Sequence, residues 1–445
     1  MRWTLDTVAD AVGGTAVGSA AITSVAIDSR RVLPGSLFVA LRGGHVDGHE
    51  FIAAAVAAGA VAALSETSRL PAGIAGVEVA DPVTGLAALA ARRRSELKIP
   101  VVAVTGSSGK TTTKDLISAV IDRGAHAAPS SYNNEIGVPL TVLGCPDDAT
   151  ALVVEVGSRG VGHIAALGDL IHPDVAVITN IGPAHLEMFG DLATVRLAKW
   201  ELVEALAPGG VAVLPETDAA LLAMRHGPTI TFGEDPTADV AAVDVVLDSR
   251  GRASFALRHS GERVEVTLTA AGRHQPVNAA AAVAAAIAIG VEFVTAAGRL
   301  SAFTLAPWRM EVVERTVPGG TVLVVNDAYN ANPASMESAL VTVAAMSGRH
   351  FAVLGMMHEL GAASPALHED VGRRAAALGF TVIVVGDDPG IARGAGSAVA
   401  ASVGDLDEAA AAVADRLLPG DVVLIKASRA TGLERLSERI GGAAA

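Results

Sequence analysis

The chain has 445 residues, enough for about three domains of ordinary size. It is 51% hydrophobic and 18% charged, a balance that excludes intrinsic disorder. Forty-seven acidic residues against 33 basic ones leave a net charge of −14, which argues against nucleic acid and anionic membranes as partners. The single cysteine, Cys145, excludes internal disulfides and cysteine-built zinc modules.

The first segment, residues 1–98, alternates short strands (TSVAIDSRRV, SLFVALRG) with helical stretches at FIAAAVAAGA and VTGLAALAARRRSEL. It reads as a small α/β domain. Asp6 and Asp10 interrupt the apolar pattern of the N-terminus, so no signal peptide is expected. Pro100 stops the preceding helix and marks a boundary. The second segment, 99–308, carries the apolar runs VVAVTG, ALVVEVG, VAVITN and VAVLP. Continuous rather than alternating apolar runs predict a parallel sheet buried on both faces. ADVAAVDVVLD to RVEVTLTA reads as more antiparallel, and an Ala-rich helix follows Pro276. The longest uncharged stretch lies there, between Arg273 and Glu292, and Gln275, Pro276 and Asn278 interrupt it. It is too weakly apolar for a bilayer, so a soluble cytoplasmic protein without membrane insertion is expected. The third segment, 309–445, has strands at TVLVVND, HFAVLG, TVIVVG and DVVLIKAS, a second, Rossmann-like open sheet. The fold class is three-domain α/β.

Only five of the 33 basic residues are lysine: Lys98, Lys110, Lys114, Lys199 and Lys426. Arg serves wherever a generic positive charge would do. A Lys here marks places that need a compact primary amine, with Lys98 readable as an ordinary surface residue.

The strongest local signal is Gly106-Ser107-Ser108-Gly109-Lys110-Thr111-Thr112, between the strand VVAVT and the helical run KDLISAV. Two residues separate its glycines, where the general phosphate loop has four. The chemistry is the same: small residues let backbone N–H groups curl around phosphate oxygens at a helix N-terminus. Lys110 can bridge terminal phosphates and Thr111 can hold Mg²⁺. ATP is expected over GTP, since no Asn-Lys-x-Asp motif is present. Glu155 ends the strand ALVVEVG, at the sheet edge that carries the loop. It reads as an Mg²⁺ ligand or as a solvated strand-end acid. His185 comes after the next strand and reads as a metal ligand or as a capping or core histidine. Lys199, in RLAKWELVEAL, also has two readings. It is either a surface lysine paired with Glu201 or Glu204, or an amine that takes up CO₂ as a metal-binding carbamate.

These motifs, with SYNNEIGVPLT, NIGPAHLEMFG, AKWEL, GRHQPVNAAAA, NDAYNANPASM, VLGMMHELG and KASRATGLERL, resemble the Mur ligases of peptidoglycan synthesis along essentially the whole chain. NNEIGVPL, DAYNANPASM and MMHELG favour the member that adds a dipeptide. The resemblance implies ATP-dependent amide synthesis through an acyl phosphate. UDP-MurNAc-tripeptide supplies the carboxylate, D-Ala-D-Ala supplies the amine, and ATP and Mg²⁺ take part. The alternative is another Mur-type or folylpolyglutamate-type amide ligase. A phosphate-loop regulatory switch would not need Lys199, His185 or a third domain.

By position, the resemblance implies that Lys110 contacts the terminal phosphates while Thr111 and Glu155 share one Mg²⁺. His185 and carbamylated Lys199 hold a second. Asn278 meets the adenine side, Arg309 reaches the γ-phosphate from the domain junction, and Asp327 and Tyr329 sit at the ribose and the cleft. Asn134 faces the muramyl peptide. Ser29, Arg30, Asp47 and His49 are candidates for the uridine nucleotide. Asn330, Asn332, Glu359, Lys426, Ser428 and Arg429 are candidates for the dipeptide. Met356 stands where this family often has an acidic residue. Residues 1–98 would bind the UDP substrate, 99–308 ATP, and 309–445 the dipeptide. A monomer is expected.

Overall fold

The computed structural model describes residues 1–443 apart from 45, 122–123, 130, 183–185 and 305–306. Three large sheets succeed one another along the chain in a three-domain α/β arrangement, beside a two-stranded antiparallel pair of Trp3–Thr4 with Ala21–Ile22 near the N-terminus. The first has five strands, with Ser24–Ala26, Ser36–Val39, Ala60–Glu66 and Gly76–Val79 running parallel and Thr15–Val17 antiparallel at one edge. The helix expected over FIAAAVAAGA is shorter than its composition suggests. It covers Ile52–Ala57, and a strand begins at Ala60. Gly59, at φ +115°, makes the turn that an Ala could not. The strand behind it is nearly all buried, so tertiary packing overrides the helix propensity of Ala.

The second sheet has nine strands. Val101–Thr105 lies between Ala151–Glu155 and Val175–Ile178, all parallel. All three strands are buried along their whole length, as the unbroken apolar runs require. Burying each of these valines stabilises by about 1.5–3 kcal/mol. The chain leaves Val101–Thr105 toward one neighbour and later returns on its other side. The carboxyl end of that strand is therefore a topological switch point, where open α/β sheets form a crevice. The far edge, Val240–Leu247, Arg252–His259 and Glu262–Ala271, is antiparallel as expected. The helix Gln275–Ala288 is buried on all sides from Ala279 to Ala286, between the helix Lys110–Ile121 and the strands Thr229–Gly233 and Val240–Leu247. Ala is the residue that permits so close an approach. Among the described residues no helix is long and apolar enough to cross a membrane.

In the third sheet Val422–Lys426 lies between Gly320–Asn326 and His350–Leu354, again parallel. The ends of these strands place Asp327 and Lys426 side by side.

One buried carboxylate fixes the helix Leu192–Glu204, which carries Lys199. The neighbouring helix His163–Ile171 starts from Gly162, a residue with left-handed φ and no side chain to cap it. Glu201 takes the cap's place, accepting from Gly162 N at 2.6 Å and Ala165 N at 2.9 Å. Glu201→Ala would leave two helix-terminal amides without their charged acceptor. A loss of about 2–4 kcal/mol in unfolding free energy is expected, read from the denaturant midpoint of the central domain.

Candidate active site

The phosphate loop takes its shape from the strand beside it. A Cβ on Gly106 (φ +152°) would lie 1.8 Å from Thr179 Oγ1, and one on Gly109 (φ +76°) would lie 2.9 Å from Asn278 Oδ1. The Thr179 hydroxyl donates to Ser108 O at 2.6 Å. Asn180 accepts from Ser108 N at 3.0 Å and donates to Ser108 Oγ at 2.9 Å. Ser107 Oγ is tied to both the N–H and the carbonyl of Gly182 at 2.9 Å. The loop is thus held from outside, at the N-terminus of the helix Lys110–Ile121. Lys110 Nζ curls back to Gly106 O at 2.7 Å. Burial pushes its pKa down, Glu155 opposes that, and Arg309 adds to it.

Thr111 Oγ1 donates to the buried Glu155 Oε2 at 2.7 Å, and Asn133 Nδ2 holds the other oxygen at 2.8 Å. A hydroxyl beside a carboxylate, both next to a phosphate cradle, is the hard-oxygen donor set that Mg²⁺ takes. Ser131 Oγ lies 2.8 Å from Thr111 Oγ1. From the third domain, Tyr329 donates to it at 2.9 Å and Arg309 Nη2 at 3.3 Å. The Arg309 guanidinium sits 3.8 Å over the Tyr329 ring, and its buried Nε has no partner among the described residues. An unsatisfied buried cation donor beside an anion cradle fits a bound phosphate.

These groups share one cleft of about 690 Å³, with Asn134, Lys199, Asn278, Asp327, Asn330, Asn332 and Glu359 also in its walls. Lys199 is 3% exposed. The surface-pair reading therefore fails: Glu201 uses both oxygens on the helix cap, and Lys199 has no hydrogen-bond or ion-pair partner among the described residues. Burial, reinforced by the Lys110 cation, pushes the Lys199 amine down to about 7.

Residues 21–94 match the Mur ligase family catalytic domain, 104–286 the Mur ligase middle domain, and 308–429 the Mur ligase glutamate ligase domain. The chain belongs to the Mur ligase family. A relative from Mycobacterium tuberculosis, named UDP-N-acetylmuramoyl-tripeptide–D-alanyl-D-alanine ligase, is 36% identical over 94% of this chain and 92% of its own. A crystal structure of MurF from Acinetobacter baumannii superposes with a TM-score of 0.89 at 31% identity, over 99% of each chain. MurF from Thermotoga maritima in complex with ADP superposes with a TM-score of 0.82 at 31% identity, over 94% of this chain and 96% of its own.

The other predicted site residues of this Mur ligase fall in several places. Asn278 packs on Gly109 and donates to Gln275 Oε1 at 3.2 Å. Asn134 and Asn332 line the cleft while their side-chain oxygens start the helices Gly137–Leu143 and Pro333–Ala344. Asn330 Oδ1 accepts from Ala331 N at 2.9 Å. Ser428 is buried outside the cleft wall and accepts from His358 N at 3.0 Å. Arg429 is also outside it, exposed, and stacks 4.2 Å over the Trp308 ring. Ser29, Arg30, Asp47 and His49 lie in the first domain, away from this cleft. Ser29 opens the turn Ser29–Arg31, and Arg30 is paired with Asp28 at 2.7 Å. His49 is buried with both ring nitrogens engaged, by Glu66 N at 3.1 Å and Asp47 at 2.7 Å. Hydrogen bonds from His49 and Arg69 hold the Asp47 carboxyl well below the usual range. His185 lies outside the described residues. Sequence reasoning did not single out Ser131, Thr179 or Asn180. All three stand in or beside quoted motifs, but their roles depend on contacts between segments far apart in the chain.

The Lys199 amine gives a pH signature. Below about pH 7 folded and unfolded chains both hold the proton, and the cost of the buried charge is fully present. Between about 7 and the ordinary 10.5 only the unfolded chain binds it, so stability rises with pH. In CO₂-free buffer, the stability advantage of Lys199→Met over wild type should shrink between pH 7 and pH 9. A pH-independent difference in denaturant titrations would refute the shift.

Proposed function

We propose that this Mur ligase joins D-alanyl-D-alanine to the free carboxylate of UDP-MurNAc-tripeptide, releasing ADP and phosphate. The observation that carries the reading is the single cleft that joins a phosphate cradle of the second domain to Arg309, Asp327 and Tyr329 of the third. Relatives of near-equal length bear that enzyme's name. The loop amides and Lys110 hold the β- and γ-phosphates, and Asn278 and Asp327 flank the nucleoside. The substrate carboxylate attacks the γ-phosphorus in line and ADP leaves, giving an acyl phosphate. Arg309 neutralises charge on the transferring group. The dipeptide amine then attacks the acyl carbon, and the tetrahedral intermediate expels phosphate as the amine loses its proton.

Thr111 and Glu155 would hold one Mg²⁺, and His185 with carbamylated Lys199 a second. Bound there, the ions would neutralise phosphate and acyl-phosphate oxygens. Lys199 fits the carbamate role because its amine is buried, unpaired among the described residues, and shifted toward the neutral form that attacks CO₂. We assign the UDP moiety to residues 1–98, with Ser29, Arg30, Asp47 and His49 framing its site. Residues 99–308 take ATP, and residues 309–445 the dipeptide, with Asn330, Asn332, Ser428 and Arg429 around it. The protein works as a monomer in the cytoplasm.

Mass-spectrometric detection of UDP-MurNAc-pentapeptide from the three substrates tests the reaction. Phosphate release with D-Glu, diaminopimelate or a folate, but not with D-Ala-D-Ala, would assign a different amide ligase. Lys199→Ala and Lys199→Arg should both lose nearly all turnover, and short-chain carboxylates should restore part of it to Lys199→Ala. Full activity in Lys199→Arg would rule out a carbamate. Arg429→Ala should raise the KM for D-Ala-D-Ala at least about tenfold, or about 1.4 kcal/mol, with little change for ATP. An unchanged dipeptide KM would show that Arg429 serves only the Trp308 stack.

A further inference from the structure

Arg309 enters the cleft from a backbone that L-residues avoid. The residues on both sides of it, Trp308 (φ +62°) and Met310 (φ +52°), are left-handed, and neither is glycine. Bulky residues hold such a conformation only where surrounding contacts over-determine it, and such strain clusters at functional sites.

Three contacts hold this turn. Met310 N donates to Asp327 Oδ1 at 3.0 Å, Trp308 N donates to Glu311 Oε2 at 3.1 Å, and Tyr329 N donates to Trp308 O at 3.1 Å. Asp327 is itself held by Lys426. That lysine is 1% exposed, and its Nζ lies 2.5 Å from Asp327 Oδ2, 2.9 Å from Asn330 O and 3.3 Å from Asp327 O. All three ammonium donors therefore point at the segment 327–330. Lys426, one of the polar residues offered as candidates for the dipeptide, thus turns its ammonium toward this segment.

We propose that Lys426 and Glu311 are positioning residues for Arg309. Lys426 acts through Asp327 and Glu311 acts directly on the Trp308 amide; together they keep the left-handed turn that aims the guanidinium into the cleft. Neither touches the reacting atoms. The inference rests on the reading of Arg309 as the group that meets the transferring phosphate. It explains a buried ammonium paired with a half-buried carboxylate at the end of two parallel strands, a costly feature that packing alone would not need.

The test is a kinetic cycle on the full-length enzyme with Lys426→Met, Glu311→Ala, Arg309→Ala and the two doubles that contain Arg309→Ala. Lys426→Met should lower kcat at saturating substrates at least roughly tenfold, with the dipeptide KM within about threefold of wild type. In the Arg309→Ala background neither Lys426→Met nor Glu311→Ala should lower kcat further, because each acts through the missing side chain. Amide exchange should quicken at Met310 and Tyr329 in Lys426→Met, while the strands Val422–Lys426 and His350–Leu354 stay protected. A merely structural role would multiply with Arg309→Ala and loosen the whole third sheet, and that result overturns the proposal. Should Lys426→Met fail to fold, the half-buried Glu311 carries the same cycle. Full turnover in Arg309→Ala would overturn the proposal together with the role given to Arg309. Multiplying losses would overturn the proposal alone.

Discussion

A carboxylate can only accept hydrogen bonds, and that one constraint orders the centre of this protein. Glu155 accepts from Thr111 Oγ1, so the Thr111 hydroxyl has no second proton for Ser131. Ser131 must then donate to Thr111, and its own oxygen is left to accept from Tyr329 and Arg309. The chain of donors runs one way, from the third domain through Ser131 and the phosphate-loop helix to a buried acid at a strand end. The contact between the second and third domains and the polarity of the proposed metal site are therefore linked through a single hydroxyl. Such networks are costly when half-satisfied. That cost explains why Asn133 also holds Glu155, at 2.8 Å.

The sheets bring these groups together by a simple rule. Parallel strands all end on one edge, so residues that close apolar runs meet there. Glu155 ends one such strand in the second sheet; Asp327 comes directly after one in the third, and Lys426 ends its neighbour. This much was legible in the sequence. The runs VVAVTG, ALVVEVG and DVVLIKAS declare buried strands, and the polar residues at their carboxyl ends are candidates for the site. The glycine loop was legible for a related reason. Only Gly fits at position 106, where Thr179 Oγ1 stands 1.8 Å from any Cβ.

The direction in which side chains are used stayed hidden. Lys426 looks in the sequence like a cation awaiting an anionic ligand, yet its charge is turned inward to Asp327 and Asn330. Glu201 looks like a partner for Lys199 two residues away, but it reaches across to the helix His163–Ile171. His49 reads as a candidate for the uridine nucleotide, and its buried ring also accepts from the amide of Glu66 in a later strand. In each case the deciding contact joins residues well apart in the chain, a separation that local pattern does not carry. The strand Ala60–Glu66 was missed for the converse reason: its Ala-rich start has a local preference that the sheet overrules.

The scarcity of lysine acquires a physical meaning from the fold. Lys98 is exposed, whereas Lys114, Lys199 and Lys426 are each no more than 3% exposed and Lys110 lies within the phosphate cradle. Lys114 reaches the carbonyl of Ala128 and Asp115. Each buried position needs a point charge with up to three donors in a narrow space, or an amine able to lose its proton. A planar guanidinium supplies neither. Arginine does the opposite work in this chain: Arg309 and Arg429 lay flat cations over the rings of Tyr329 and Trp308 at the domain junction. The cleft where, on the proposed function, three substrates bearing anionic groups must meet is lined by Lys110, Arg159, Lys199, Arg309 and Lys426 and equally by Glu155, Glu216, Glu234, Asp327 and Glu359, so which cation faces which anion, rather than the net charge of the wall, must decide how those groups are neutralised.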